Sequence, residues 1–212
     1  MHNPGPPAGP ALLAYMQAKV IYQGESAAAA LSWRLARRLE SFLAALPGPC
    51  LAELADAHDG LVAFSDEADQ YLSGPTPFAG KSRRGIARLC AATFVADAAP
   101  GLTIIARLVD HYLGSRFRSD RVISSQPPGV PGWDDFHHRL LASHATGYAD
   151  GPEAQQSAGA YFAWAFSGYL TDRRRLSHVD PPAYRLLHST IFSEAFWLGY
   201  PRRPRSADGA IV

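Results

Sequence analysis

The fold is decided by three stretches, WDDFHHRLLASHATGY (133–148), PEAQQSAGAYFAWAFSGYLT (152–171) and DPPAYRLLHSTIFSEAFWLG (180–199). Each carries apolar residues at three- and four-residue spacing, which is the period of an α-helix with a buried face. Each also has a start signal, because Asp134 suits the positive end of a helix dipole and Pro152 and Pro181 suit a first helical turn. The middle stretch is apolar almost all round, which is typical of a central helix.

The upstream sequence shows the same helical period, and only residues 121–125 alternate as an exposed strand would. Ser65, followed by two acidic residues, has the pattern of a helix N-cap. Pro100 separates two further apolar runs, because proline interrupts a helix interior. We therefore expect helices over residues 12–21, 26–46, 50–64, 66–72, 82–98 and 102–113. The sequence predicts an all-α fold, a single multi-helix globular domain of about eight or nine helices with no substantial sheet.

The ends of the chain and one internal loop are poor in apolar residues. Residues 1–10 are rich in proline and glycine and are expected to form a mobile N-terminal arm. Residues 202–212 have too few apolar groups to offset the entropy of ordering them, so we expect a mobile C-terminal tail. The helical domain then spans residues 11–201. The long irregular segment 116–132 marks a weak boundary within it, since loops of this length are usually functional or disordered.

Composition limits the classes of partner and the compartment. The chain of 212 residues has a formal net charge of +1, so no global field recruits nucleic acid or an anionic membrane. Two cysteines are too few for a disulfide framework, no secretory leader pattern is present, and charged residues interrupt the longest apolar run. Arginine far outnumbers lysine, which indicates a GC-rich genome. We therefore expect a bacterial, cytoplasmic protein with no membrane span.

The helix over residues 133–144 carries the strongest candidates for a metal site. Asp134 and His137, like Asp135 and His138, have the i, i+3 spacing with which ferritin-like bundles present a carboxylate and an imidazole to a di-iron centre. No second helix repeats the motif. The candidate metal ligands are Asp134, His137, His138 and His144, completed by His111 or His188. The other interpretation is that these histidines are hydrogen-bonded core residues.

Two segments, 139–144 and 173–178, read Arg-x4-His. This pattern resembles the catalytic motif of the HEPN helical ribonucleases, in which an arginine and a histidine from each of two protomers flank a scissile phosphate. The resemblance covers six residues each time. It implies that Arg139 and His144 are a catalytic pair, although Leu140 stands where that family usually has a polar residue.

The second helical stretch and the residues after it offer a binding surface. Its aromatic rings could line a groove for a partner chain or for an apolar ligand between helices. The arginines that follow, with Arg202, Arg203 and Arg205, lie near tyrosines and have the composition of a phosphate- or single-strand-binding surface, or of a solvated helix end. The candidate groove residues are Tyr161, Trp164, Tyr169, Arg173, Arg174 and Arg175.

The sequence therefore favours an accessory or interaction protein that binds a protein partner or a small apolar ligand. The alternative is a metal- or haem-dependent enzyme that uses the helix over residues 133–144, and a third hypothesis is a HEPN-like ribonuclease. No motif identifies a substrate, a cofactor or an oligomeric state.

Overall fold

The computed structural model describes residues 9–23 and 27–199, with only the backbone described for residues 27–30. Eleven helices lie within these residues. They are α1 (Pro10–Lys19), α2 (Ala27–Leu43), α3 (Gly48–Asp56), α4 (Ala91–Ala96), α5 (Ala99–Ser115), α6 (Pro131–Ala145), α7 (Pro152–Gln155), α8 (Ala158–Thr171), α9 (Arg173–Val179), α10 (Pro181–Ser189) and α11 (Glu194–Gly199).

Six short strands accompany the helices, so the prediction of an all-α fold without a substantial sheet is wrong. The strands are β1 (Val20–Tyr22), β2 (Leu61–Ser65), β3 (Gln70–Leu72), β4 (Thr76–Phe78), β5 (Lys81–Arg83) and β6 (Ile86–Cys90). Four of them form a sheet in the order β1-β2-β6-β3, in which β1, β2 and β6 are parallel and β3 is antiparallel to β6. The other two strands, β4 and β5, form a separate antiparallel hairpin.

The two faces of the sheet differ in what covers them. Alternate residues of β2 and β6, among them Val62 and Leu89, belong to the main core under the helices. Helix α2 contacts β1 and β2, and helix α5 contacts β6 and β3. The opposite face, with Ala63 and Ile86, packs against Phe78 of the β4–β5 hairpin in a small second core. The central strands are therefore buried on both sides.

Burial of the central strands on both faces explains why their sequence pattern predicts helices. A strand that is apolar on both faces lacks the polar alternation of an exposed strand, and the first four residues of β2, LVAF, are continuously apolar. Strand β6 also runs directly into α4, so its apolar residues and those of α4 combine into an apparent helical period. Ser65, expected to cap a helix, instead ends β2, where its hydroxyl accepts a hydrogen bond from the Glu67 amide (3.2 Å).

The C-terminal part is helical as expected, but it is divided more finely. The predicted helix over 152–171 breaks into α7 and α8, because Ser157 adopts an extended conformation and caps α8 by accepting from the Ala160 amide (3.1 Å). Asp172 and Asp180 likewise cap α9 and α10. Helix α8 runs antiparallel to α5, with the Ser167 hydroxyl donating to the Ala99 carbonyl (3.3 Å).

Within the described part of the chain, no helix combines the length and the apolar character that crossing a bilayer would require. The predicted N-terminal arm and C-terminal tail lie almost wholly outside the described residues, since α1 already begins at Pro10.

Candidate functional site

Helix α5 carries two buried polar residues near its C-terminal end, Asp110 and His111. They are 3% and 0% exposed in a helix whose other inward residues are mostly apolar. Buried polar groups need hydrogen-bond partners, and here the partners come from the loop that follows α5 and from strand β3. These two residues therefore form one of the buried polar clusters of the molecule.

Asp110 binds Ser124 twice. Its carboxylate accepts from the Ser124 amide (2.8 Å) and from the Ser124 hydroxyl (2.7 Å). Burial raises the pKa of Asp110 to about 6, and the hydrogen bonds from Ser124 act in the opposite direction. Near neutral pH the group therefore lies close to its titration point, inside the fold.

His111 is held as one neutral tautomer. Its Nε2 lies 2.5 Å from the Ser119 carbonyl, which can only accept, so Nε2 carries the proton. Its Nδ1 then accepts from the Tyr71 hydroxyl at 2.6 Å. Burial lowers the pKa of His111 below its usual range, which agrees with a neutral ring.

The segment 116–132, predicted to mark a boundary, is thus fixed to helices on both sides. Besides its bonds to Asp110 and His111, it offers the Ile123 carbonyl to His137 Nδ1 of α6 (2.5 Å). Phe117 packs against the His111 ring with centroids 5.1 Å apart. Asp110, His111 and His137 consequently hold this loop in place, and each of the three is occupied in doing so.

The candidate metal ligands of α6 are engaged separately, except that the rings of His137 and His138 lie edge to face with centroids 5.3 Å apart. Asp134 accepts from the Gly129 amide (2.8 Å), His137 is buried and bonded to the loop, and His138 points to solvent. His144 lies 3.2 Å from the Gln155 carbonyl through Nε2. No group of three or more His, Cys, Asp or Glu residues within 9–23 and 27–199 is placed to hold a metal ion. Neither His111 nor His188 completes a set with them.

The pair suggested by the ribonuclease resemblance lies on one helix. Arg139 is exposed and pairs with Asp135 of the same helix (3.5 Å), while the ring of His144 packs beside Tyr161 with centroids 5.5 Å apart. The second segment of the same pattern, 173–178, forms most of α9.

The aromatic members of the candidate groove lie mainly in the core. Tyr161 is 0% exposed and donates to Asp180, the N-cap of α10, at 2.7 Å. Trp164 is half-buried and its ring lies nearly parallel to that of Tyr161 at 5.9 Å. Tyr169 is 5% exposed. These rings pack α8 against its neighbours, while the three arginines of α9 are exposed.

The surface of α8–α10 nevertheless brings rings and guanidinium groups together. Arg173 lies over the Tyr169 ring at 5.9 Å, and Arg175 pairs with Asp150. Tyr184 lies nearly parallel to Tyr169, with centroids 5.8 Å apart and an interplanar angle of 18°. The grouping of Tyr169 with Arg173, expected from the sequence, is therefore present at the edge of the core.

The structure shows one exposed tryptophan, Trp33, that is not among the residues predicted from the sequence. Trp33 of α2 is 61% exposed, and the guanidinium of Arg34 lies 5.3 Å from the centre of its ring. Arg37, one turn further along the helix, is also exposed. We call these three residues the Trp33 face. The sequence does carry a sign of this face, because Trp33 lies outside the leucine stripe that marks the buried side of its helix.

A cavity beside the end of α5 is too small for a ligand. It is lined by residues that include Leu113, Arg118 and Val130, and its volume is about 30 Å³. That is room for about one or two water molecules, whereas ligand pockets are usually about 300–1,000 Å³. This cavity does not support the hypothesis of an apolar ligand between helices.

Comparison of the chain with models of protein families, with curated proteins and with solved structures gave no match.

The titration of Asp110 gives a first testable prediction. Its pKa in the folded protein, about 6, lies above the ordinary value of 3.8 for this carboxyl, so its protonation stabilises the fold and this contribution is lost as pH rises through 6. Asp110→Asn removes the titration while an amide can still bond to Ser124. As pH rises from 4.5 to 7.0, the wild type should therefore lose about 2 kcal/mol more of its free energy of unfolding than Asp110→Asn loses.

Urea denaturation of both proteins at the two pH values measures this difference. The other titratable groups are the same in the two proteins, so their contributions cancel in the comparison. His111 works in the opposite direction, because its lowered pKa makes the fold lose stability as pH falls below about 6.5. An identical pH dependence in wild type and Asp110→Asn would mean that Asp110 titrates as an exposed carboxyl does.

Proposed function

We propose that this chain is an interaction protein that binds an acidic partner chain through the Trp33 face. The observation that carries the proposal is the 61% exposure of a tryptophan on a well-anchored helix. Tryptophan and arginine are enriched among the residues that dominate interface energies, and this face presents both side by side on one helix.

The helix that presents Trp33 is fixed by its opposite side. Leu35 and Leu39 are both 0% exposed in the main core, so α2 cannot turn to bury Trp33 without losing them. Arg38 adds a hydrogen bond from its guanidinium to the Val95 carbonyl (2.8 Å). A preorganised anchor of this kind costs little conformational entropy when a partner binds it.

The charge of the face indicates the chemistry of the partner. Arg34 and Arg37 are exposed, and no ion pair among the described residues includes either of them. Arginine forms bidentate bonds with carboxylates, so a complementary surface would offer an apolar pocket for Trp33 with Asp or Glu at its rim.

Selection of a random dodecapeptide library on the purified protein tests the proposal. We expect enriched peptides to combine an apolar anchor with acidic residues. Trp33→Ala should weaken their binding about 30-fold or more, the effect of removing an interface hot spot. The same change should leave the melting temperature within error of the wild type, because the side chain is mostly in solvent.

Tyr148→Ala is the matched control, since Tyr148 is 57% exposed in a loop between α6 and α7. It should bind the selected peptides as the wild type does. Selected peptides without acidic residues, or equal binding by Trp33→Ala and the wild type, would contradict the proposal.

A further inference from the structure

We infer that the surface formed by α8, α9 and α10 binds single-stranded nucleic acid on a set of near-parallel rings flanked by arginines. The rings belong to Tyr169, Tyr184, His188 and Phe192, and we call them the aromatic ladder. This site is separate from the Trp33 face and does not depend on the function proposed for it.

The rings of the ladder share nearly one orientation. Phe192 and Tyr169 have centroids 3.9 Å apart and planes inclined by 13°, and Tyr184 and His188 are 5.4 Å apart at 9°. The Tyr169 hydroxyl lies 2.7 Å from His188 Nδ1, which fixes the His188 ring relative to α8. Bases in single strands stack on ring faces that are held in this way, without a requirement for sequence.

One end of the ladder is accessible. Phe192 and Tyr169 join the core, but Tyr184 is half-buried and His188 is exposed. Positions 184, 185 and 188 fall within about 100° of the helical wheel, so Arg185 lies on the same side of α10 as both rings. A base that stacks at this end would therefore place its phosphate near a guanidinium.

The charge of the surface is positive around the ladder. Arg173 lies over the Tyr169 ring and Arg185 is exposed on α10, and neither takes part in an ion pair of the described residues. The nearby carboxylates are occupied: Asp172 accepts from the Arg175 amide (2.9 Å) and Asp150 pairs with the Arg175 side chain. Although the net charge of the chain is only +1, this surface is locally positive and would attract phosphates.

The combination of aromatic rings with positive charge indicates which ligand the surface binds. An acidic protein chain would pair with the arginines, whereas a polynucleotide pairs with them and can also stack a base on the ring at the end of the ladder. Double-stranded nucleic acid keeps its bases stacked inside the helix, so an exposed ring at the end of the ladder, that of His188, favours a single strand. RNA and DNA share this chemistry, and the test has to separate them.

The test is fluorescence polarisation with 5′-fluorescein-labelled 12-mers of uridine and of 2′-deoxyuridine, which differ only in the sugar. We expect at least one strand to bind with a Kd below 100 μM. Arg173→Gln combined with Arg185→Gln should weaken binding about tenfold and reduce the salt dependence, log Kd against log salt, by about 1.4 for the two lost phosphate contacts. Tighter binding of one 12-mer would identify the sugar that the site prefers.

His188→Ala tests the ladder separately from the charge. It should weaken binding about tenfold, as the loss of one stacked base does, with an unchanged salt dependence. The matched control is Arg34→Gln combined with Arg37→Gln, which removes the same charge from the Trp33 face and should change Kd less than threefold. Thermal unfolding of each variant verifies that the fold persists.

Three results would overturn the inference. The first is the absence of binding by either strand below 100 μM. The second is an equal loss of affinity in the Trp33-face control, which would indicate unspecific attraction. The third is wild-type binding by His188→Ala together with full competition by inorganic polyphosphate, which would mean that the surface binds phosphate without using the rings.

Discussion

Replacing Gly114 with alanine is expected to destabilise the protein by about 3 kcal/mol or more. A Cβ at this position would lie 2.6 Å from the Arg121 carbonyl oxygen, the Val122 carbonyl carbon and the Ile123 amide nitrogen. All three are backbone atoms, so no side-chain rotation relieves the contact. Overpacking of a tight site usually costs about 1–3 kcal/mol and more where the surroundings cannot move.

The surroundings of Gly114 are held by the polar bonds described above. Ser124 is tied to Asp110 and Ser119 to His111, so the loop cannot retreat from α5 without breaking buried hydrogen bonds. Alanine would otherwise be favoured over glycine within a helix by about 1 kcal/mol, and the clash has to exceed that gain.

Gly168→Ala is the matched control for this prediction. Gly168 lies within α8, and a Cβ there would be 3.8 Å from the nearest atom, Leu176 Cδ1, which is ordinary contact. We expect this change to stabilise the protein by up to about 1 kcal/mol. Urea denaturation of both variants measures the contrast. Equal stabilities for Gly114→Ala and the wild type would show that the loop yields to the methyl group.

The helices between residues 131 and 199 could be predicted because their signals are local. Pro181 and Asp180 mark the start of α10, and the apolar period identifies its buried side. The break between α7 and α8 could not be predicted, because Ser157 follows two glutamines and precedes alanine. These residues favour a helix, so a single serine gives no clear sign of a helix N-cap.

The strands could not be predicted because their stabilisation comes from distant residues. Val62 of β2 pairs with Val20 on one side and with Ala87 on the other, through contacts that no local pattern reveals. Three-residue strands such as β1 are also too short to show a period. Burial of β2 on both faces then removed the remaining polar signal.

The candidate sites were predicted only in part, for the same reason. His111 was noted as a metal ligand, but its hydroxyl partner, Tyr71, lies 40 residues away on a strand that the sequence did not indicate. The grouping of Tyr169 with Arg173 could be predicted because the two residues are only four positions apart, at the junction of α8 and α9. Tyr184 and His188 join them only through the packing of α10 on α8.

Replacing Phe166 with alanine is the second change with a large expected effect. Phe166 is 0% exposed at the centre of α8, and its ring packs against Phe162 and Phe192 with centroids 5.9 and 5.4 Å away. Removing a buried phenylalanine side chain typically costs about 3–5 kcal/mol, from lost burial and from the cavity that remains. For a chain of this length, we expect the melting temperature to fall by about 6–20 °C.

Trp164→Ala provides the comparison on the same helix. Trp164 is half-buried, and its main ring partner is Tyr161, so truncation should cost less than at Phe166, about 1–2 kcal/mol. Thermal and urea unfolding of both variants should therefore rank Phe166→Ala well below Trp164→Ala in stability. The reverse order would mean that α8 faces its neighbours through Trp164. Since Phe192 packs on Phe166 as well as on Tyr169, that outcome would also remove the support that the core gives to the aromatic ladder.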